Sequence, residues 1–512
     1  MLDPAGRLDA GERGETAMRE REAKLSVASD FDVPDLGDPS AGIVAEPATA
    51  RQLRTTYWDT PDLRLARWGA SLRHRSGEGW TVKLAGESSG PLVSREEVVF
   101  DGPPSQPPDE AVDLVRAFVR EGQMAPVARL RTTRRPVELR DQDGQRLGEL
   151  TDDRVMVLDG RRVSRRFREI ETELAPDAAD GALDPVVKRL QDAGAEPVEV
   201  KSKYLQALGN PDPGPAEVVL EEPKRGATVD QLVRYDLGAA VVRLLRHDPV
   251  VRLGRDPEGV HQARVATRRF RSTLRTFLPV LEEGWTVRLR ERAKWLADRL
   301  GAVRDADVLL ARLQARVEQL PEAEAQAAGW LLQRLRRERD RARSALLVAM
   351  REGAYVQLLD DLLAAANSPM VLDGGRPAAD TLTPRVARTW RKLRKEVRQA
   401  GDEPSDAQLH RIRIRAKRAR YAAEALAPVV GKQAEEFAEA CEQIQEVLGD
   451  HHDAVVAQEW LRRAATARGA PGPSAMAAGV LIAAEREVAA RRRADWEAAW
   501  AAADRKKLRS WF

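Results

Sequence analysis

The chain of 512 residues contains one cysteine, Cys441. A single thiol can build neither a disulfide framework nor a cysteine-based zinc site within one chain. Histidine is scarce as well, with six residues, of which only His451 and His452 are close in sequence. Adjacent helical residues point apart, so this pair is not spaced as zinc ligands. No apolar run reaches about 18 residues, so no transmembrane helix and no membrane partner are expected. Residues 1–17 lack the apolar core of a secretory signal and read as a disordered tail, which points to a cytoplasmic protein. Net charge is nearly absent too: 84 Lys and Arg stand against 81 Asp and Glu, a formal +3. Any basic binding surface must therefore come from local segregation of charge.

What is present divides into two periods. Up to residue 208 the chain alternates with period two, giving strands over Arg19–Val27, Leu53–Trp58, Ala70–Arg75, Trp80–Leu84, Arg95–Phe100, Arg129–Val137, Arg146–Thr151, Arg154–Leu158 and Phe167–Leu174. Helices are expected near Asp109–Arg120 and Pro185–Ala193. Many antiparallel strands with few helices indicate a closed or nearly closed β-barrel. Residues 209–226, with four prolines, read as a linker. From 227 to 510 the period is helical, and the whole is a multidomain α+β chain: an antiparallel barrel followed by an all-α bundle.

The helical half repeats. His261–Arg271 reads HQARVATRRFR and His410–Arg420 reads HRIRIRAKRAR, an offset of 149. A second landmark, Leu300-Gly301 and Leu448-Gly449, recurs at an offset of 148. Near-constant offsets argue for a duplicated bundle with copies over about 227–366 and 383–510. At 100° per residue, His261, Arg264, Arg268, Arg271 and Arg275 fall within about 80° of one another, and His410, Arg413, Lys417 and Arg420 occupy the same arc. Ala263, Phe270, Leu274 and Phe277 form an oily back. Two such cationic stripes suit a polyanion and can face one groove. Few aromatic residues lie within them, which argues against single-stranded nucleic acid as a partner. Asp305, Asp307, Asp450 and Asp453 are read as salt-bridge partners that hold the basic helices in register, with metal binding as the alternative.

The β half also carries rows of charge. Glu20, Glu22 and Lys24 share one strand face, as do Arg73 and Arg75, Arg131 and Arg135, and Glu169, Glu171 and Glu173. Lys83 faces away from Trp80, Val82 and Leu84, and Arg134 faces away from Arg131. An exposed face of alternating charge accounts for one such row. A solvated lumen with carboxylates for a divalent metal and cations for phosphate oxygens accounts for all of them. Mg²⁺ or Mn²⁺ suits hard oxygen ligands.

Glu20-x-Glu22-x-Lys24, Tyr57–Thr60, Leu72–Arg75, Trp80–Lys83, Glu169–Glu173 and Ser202–Tyr204 together resemble the CYTH family over residues 18–208. His261–Arg271, Leu300–Asp307, His410–Tyr421 and Leu448–Asp453 resemble the CHAD family over about 226–510. The first resemblance implies an eight-stranded triphosphate tunnel metalloenzyme, a hydrolase of tripolyphosphate, nucleoside triphosphate or thiamine triphosphate, or an adenylate cyclase. It implies Glu20, Glu22, Glu169, Glu171, Glu173 and Asp153 as metal ligands, and Glu20, Glu22 and Lys24 as catalytic residues. Lys24, Arg73, Arg75, Lys83, Arg131, Arg135 and Lys203 would hold the triphosphate. The second resemblance implies a basic groove for inorganic polyphosphate, lined by His261, Arg264, Arg268, Arg271, Arg275, His410, Arg413, Lys417 and Arg420. Together they imply an inorganic triphosphatase joined to a polyphosphate-binding domain, cytoplasmic or placed on polyphosphate granules. A non-catalytic polyphosphate-binding protein is the alternative of a different class.

Overall fold

The structure is a computed structural model that describes residues 18–38, 41–85, 88–89, 92–197 and 203–512, with backbone alone at 18–20, 88–89, 92–95 and 197. The tail assigned to residues 1–17 lies outside the described residues. Two compact units divide the chain, Met1–Glu217 and Val218–Phe512.

Among the described residues the first unit holds one eleven-stranded sheet, of which eight strands have five residues or more: β1 (Met18–Ser26), β2 (Arg51–Asp59), β3 (Ser71–Arg75), β4 (Gly79–Leu84), β5 (Leu92–Phe100), β6 (Ala125–Arg140), β7 (Arg146–Asp159) and β8 (Arg162–Leu174). Hydrogen bonding runs in the order β1-β8-β7-β6-β2-β3-β4-β5, all antiparallel. Strand β1 also pairs with β5 through Met18–Glu22, so the curled sheet meets itself. Alternation then sends odd and even side chains to opposite faces. Outside, Leu25, Leu139, Leu150, Ile170 and Leu174 pack with Val186 and Leu190 of the helix Asp184–Asp192. Each such side chain contributes about 1.5–3 kcal/mol by leaving water.

The inner face has an apolar half and a charged half. Tyr57, Leu130, Val155 and Val157 pack with Tyr204 and Leu205, so the short helix Lys203–Ala207 closes that half. The Tyr204 hydroxyl donates to Asp59 at 3.1 Å, and Asp59 accepts from the amides of Thr60, Leu65 and Ala66. The two strands expected around Asp152–Asp153 are one strand, because both carboxylates are paired. Asp152 takes Arg168 Nε at 2.7 Å on the outer face, and Asp153 takes Arg134 Nε at 2.9 Å on the inner. The helix expected at Asp109–Arg120 is two short ones, Asp109–Leu114 and Arg116–Val119.

The second unit holds nine helices of more than eight residues among the described residues: α1 (Val229–Leu253), α2 (Pro257–Thr276), α3 (Glu283–Val317), α4 (Glu322–Arg351), α5 (Gly353–Asn367), α6 (Ala378–Ala400), α7 (Asp406–Val430), α8 (Lys432–Ala465) and α9 (Gly472–Ala503). Thr228 and Ser405 open α1 and α7 with capping boxes, and Asp256, the counterpart of Ser405 in the first copy, caps α2 through its side chain. The order α1–α2–α3–α4 is repeated by α6–α7–α8–α9, and α5 packs on α1.

Candidate active site

Register decides which charges meet inside the curled sheet. Across β1 and β8, Glu22 stands opposite Glu173 and Lys24 opposite Glu171. Glu169 stands opposite Asp153 across β8 and β7, and Asp153 opposite Arg134 across β7 and β6. On the other wall Ser71 stands opposite Lys83, and Lys83 opposite Glu97. Between the walls lies a cavity of about 50 Å³. Its cationic lining is Lys24, Arg73, Arg75, Lys83, Arg134 and Lys203; Glu22, Glu171 and Glu173 supply the carboxylates, and Tyr57 is the one aromatic residue.

The charges are strongly coupled. Lys203 Nζ lies 2.6 Å from Asp153, 2.7 Å from Glu169 and 2.8 Å from Glu171. Arg134 grips Asp153 with both prongs of its guanidinium, at 2.9 and 2.7 Å. Burial alone would raise the Asp153 carboxyl, but Lys203 and Arg134 outweigh it and hold it well below the usual range. Lys24 sits 2.5 Å from Glu171, while Lys83 and Arg73 are ion-paired with Glu97. Asp153, Glu169 and Glu171 bring oxygen atoms within 4.8 Å of one another, an acidic cluster able to hold a metal ion. Hard oxygen donors of this kind fit Mg²⁺ or Mn²⁺ in type.

In the helical unit, the two stripes converge. Burial, then Arg413, then Arg268 and Arg264 of the other stripe push the Lys417 ammonium down to about 7. Arg268 lies over the Tyr421 ring at 5.4 Å. His410 stacks obliquely on His452, with centroids 4.3 Å apart. Burial and Arg413 lower the His452 imidazole to about 4. Arg264 crosses Gly301, and Arg413 crosses Gly449, where an added Cβ would lie about 4 Å from each guanidinium. The repeated Leu-Gly landmark thus marks where each stripe rests on the next helix.

Family comparisons assign both halves: a CYTH domain matches residues 18–197 and a CHAD domain residues 236–462. The chain is a CYTH–CHAD protein. It is 33% identical over 518 residues to Rv2226, a Mycobacterium tuberculosis H37Rv protein described as uncharacterized, covering 94% of this chain and 95% of that one. The solved CHAD domain from the plant Ricinus communis is 28% identical, covers 56% of this chain and 95% of its own, and aligns with a TM-score of 0.47. The structure of PptA from Streptomyces chartreusis is 25% identical and covers 54% of this chain and 99% of its own, with a TM-score of 0.44.

Within the CYTH unit, the structure brings together Glu22, Lys24, Arg73, Arg75, Lys83, Asp153, Glu169, Glu171, Glu173 and Lys203. Glu20 lies on β1, and its side chain is outside the described residues. Arg131 and Arg135 do not join the cavity: both are exposed on the outer face. Arg134, assigned to the opposite face by its parity, is the β6 cation inside. Arg134 shares its parity with Leu130 and Thr132, which are buried on the inner face of β6, whereas Arg131 and Arg135 share theirs with Leu139 of the outer cluster. Glu97 carried no motif to flag it.

In the CHAD unit, Arg264, Arg268, Arg413 and Lys417 meet, whereas Arg420 turns away to Glu424 at 2.6 Å and Glu442 at 2.7 Å. Arg271 lies beside Arg290, and Arg275 lines a separate cavity. Of the four aspartates, Asp305 pairs with Arg264 at 2.5 Å. Asp450 instead pairs with Arg312 and Arg492, off the stripes. His451 is buried beside Asp406 at 3.2 Å. Among the described residues no helix is long and apolar enough to cross a membrane.

Proposed function

We propose that the CYTH unit hydrolyses the terminal phosphoanhydride of inorganic triphosphate, and that the CHAD unit binds inorganic polyphosphate. One observation carries the first reading: six cationic side chains converge on one small cavity beside a cluster of carboxylates. Lys24, Arg73, Arg75, Lys83 and Arg134 would hold the oxygens of a linear triphosphate. The forked guanidiniums suit bidentate contact with phosphate. A substrate must draw Arg73 and Lys83 from Glu97 and Lys24 from Glu171, so binding exchanges internal ion pairs for contacts to phosphate. Asp153, Glu169 and Glu171, with Glu173 on the same strand as Glu171 and with Glu20 and Glu22 on the neighbouring β1, would hold Mg²⁺ or Mn²⁺, which would supply charge neutralisation on the transferred phosphoryl group. Lys203, whose buried ammonium bridges these three carboxylates and is lowered well below its ordinary value by burial, would yield that place to the metal and turn toward the phosphate oxygens. A carboxylate accepting a hydrogen bond from water would orient it for in-line attack, a smaller contribution than the electrostatic one.

The cavity is small and offers Tyr57 as its single aromatic surface, which supports inorganic triphosphate over adenosine or thiamine triphosphate. Phosphate release from the three substrates with Mg²⁺ or Mn²⁺, on one purified sample, tests this. Release from tripolyphosphate above the other two is expected. Cyclic nucleotide formed from ATP would select the cyclase reading, and no turnover beside tight polyphosphate binding would select the non-catalytic one.

A further inference from the structure

A cavity of about 340 Å³ opens in the CHAD unit between α2, α6 and α7. That volume is in the range of small-molecule sites. Arg275, Arg385, Arg388, Lys392, Arg415 and Arg418 line it. Among the described residues, only Arg415 of these six has a carboxylate partner, Glu396 at 3.4 Å. Helix α6 was not part of the basic stripes, and it supplies three of the six cations.

The duplication shows what this place could have been. At the offset of 149, Arg269 corresponds to Arg418, and Arg275 corresponds to Glu424. Both cross-bundle pairs form. Arg269 and Glu424 make an ion pair, with Asp236 of α1 close to both. At the counterpart place, Arg418 meets Arg275, and α6 contributes cations where α1 contributes Asp236. One half of a duplicated contact is thus neutralised internally. The other concentrates like charge and stays open. Mutual repulsion at such a place costs stability unless an anion fills it. Burial, then Arg418, Arg290 and Arg271, lower the Arg275 guanidinium to about 10, in accord with crowding of like charge.

We propose that this cavity binds a compact, multiply charged phosphate anion, either a free short oligophosphate or the end of a polyphosphate chain, at a site separate from the groove between the His-led stripes. The choice of phosphate rests on the reading of the CHAD unit as a polyphosphate binder. The site itself rests on the cavity and the charge inversion.

Three lysines permit a test in the full chain. Lys392 lines the cavity, Lys417 lies in the groove, and Lys395 is exposed three residues beyond Lys392. Amine acylation, read by peptide mass spectrometry, is followed in metal-free buffer with inorganic tripolyphosphate or with long-chain polyphosphate. At a probe concentration ten times its Kd, labelling of Lys392 should fall about tenfold while Lys395 is unchanged. Protection by tripolyphosphate identifies free oligophosphate as sufficient, and protection by the long chain alone identifies the chain end. Arg388→Gln with Arg418→Gln should abolish protection of Lys392 and leave that of Lys417. Undiminished labelling of Lys392 with both probes, or full protection in the double variant, overturns the site. Loss of Lys417 protection by the long chain would instead overturn the groove reading.

Discussion

Lys417 is the side chain whose charge state responds most directly to a bound polyanion. Its ammonium is lowered to about 7 by burial and by Arg413, Arg268 and Arg264, against an ordinary value of 10.5. A bound polyanion offsets those neighbours and favours the charged form, so binding takes up a proton near neutral pH. Affinity for polyphosphate should then fall as pH rises through about 7 to 9. Titration calorimetry in buffers of different ionisation enthalpy should show the uptake, and Lys417→Arg should remove it. The stability of the free protein has the opposite sign. Between about 7 and 10.5 the unfolded chain holds the extra proton, so stability rises with pH over that window. Arg134 is a second residue-scale case. Arg134→Gln should lower kcat for tripolyphosphate by about 100-fold, whereas Arg131→Gln and Arg135→Gln on the outer face should leave it within a factor of about two. Steady-state assays on the three variants, with circular dichroism to confirm folding, decide between the inner and outer cations of β6. Charge rows were readable because strands alternate, but which side of β6 faces the lumen depended on Leu130, Thr132 and the closing helix at Lys203, none of which local spacing reveals.

At the scale of elements, helix boundaries follow local chemistry, whereas the extent of β7 is set by its neighbours in the sheet. The breaks after Leu253, Asn367 and Ala400 coincide with glycine, proline and capping residues that end helices from their own sequence. The turn between α7 and α8 carries little local signal: Gly431 alone, at a φ of 83°, reverses the chain between two long Ala-rich helices. Strand β7 runs through Asp152–Asp153 because partners from β8 and β6 neutralise both, a fact of the sheet and not of the segment. The caps should be measurable one at a time. Ser405→Ala removes the side chain that accepts from the Gln408 amide at the start of α7 and should cost about 1 kcal/mol in urea unfolding. His410 lies one turn later on the same helix, so polyphosphate affinity should weaken alongside only if that first turn frays.

For the whole molecule, the boundary between units falls inside the proline-rich segment, not at its start. Glu217 pairs with Arg120, and it also accepts from Trp68 Nε1 at 3.3 Å. Residues 1–217 should therefore melt higher than residues 1–208, by an amount on the order of 2 kcal/mol in stability, because the shorter fragment loses that carboxylate beside a buried guanidinium. Duplication, the two-period architecture and the stripes were visible at this scale from repeats and periodicity. The unequal halves of the duplicated contact were not, since Arg275 and Glu424 become a pair of alternatives only once α2 and α7 are seen to cross. The central claim is that the carboxylates and cations enclosed by the CYTH sheet work together on a linear triphosphate. It is tested most directly by phosphate release from inorganic tripolyphosphate with Mg²⁺ or Mn²⁺, comparing the native chain with Glu22→Gln. The account predicts metal-dependent release by the native chain and a loss of about 100-fold or more in the folded variant. Equal release by the two proteins, or none by the native chain, would contradict it.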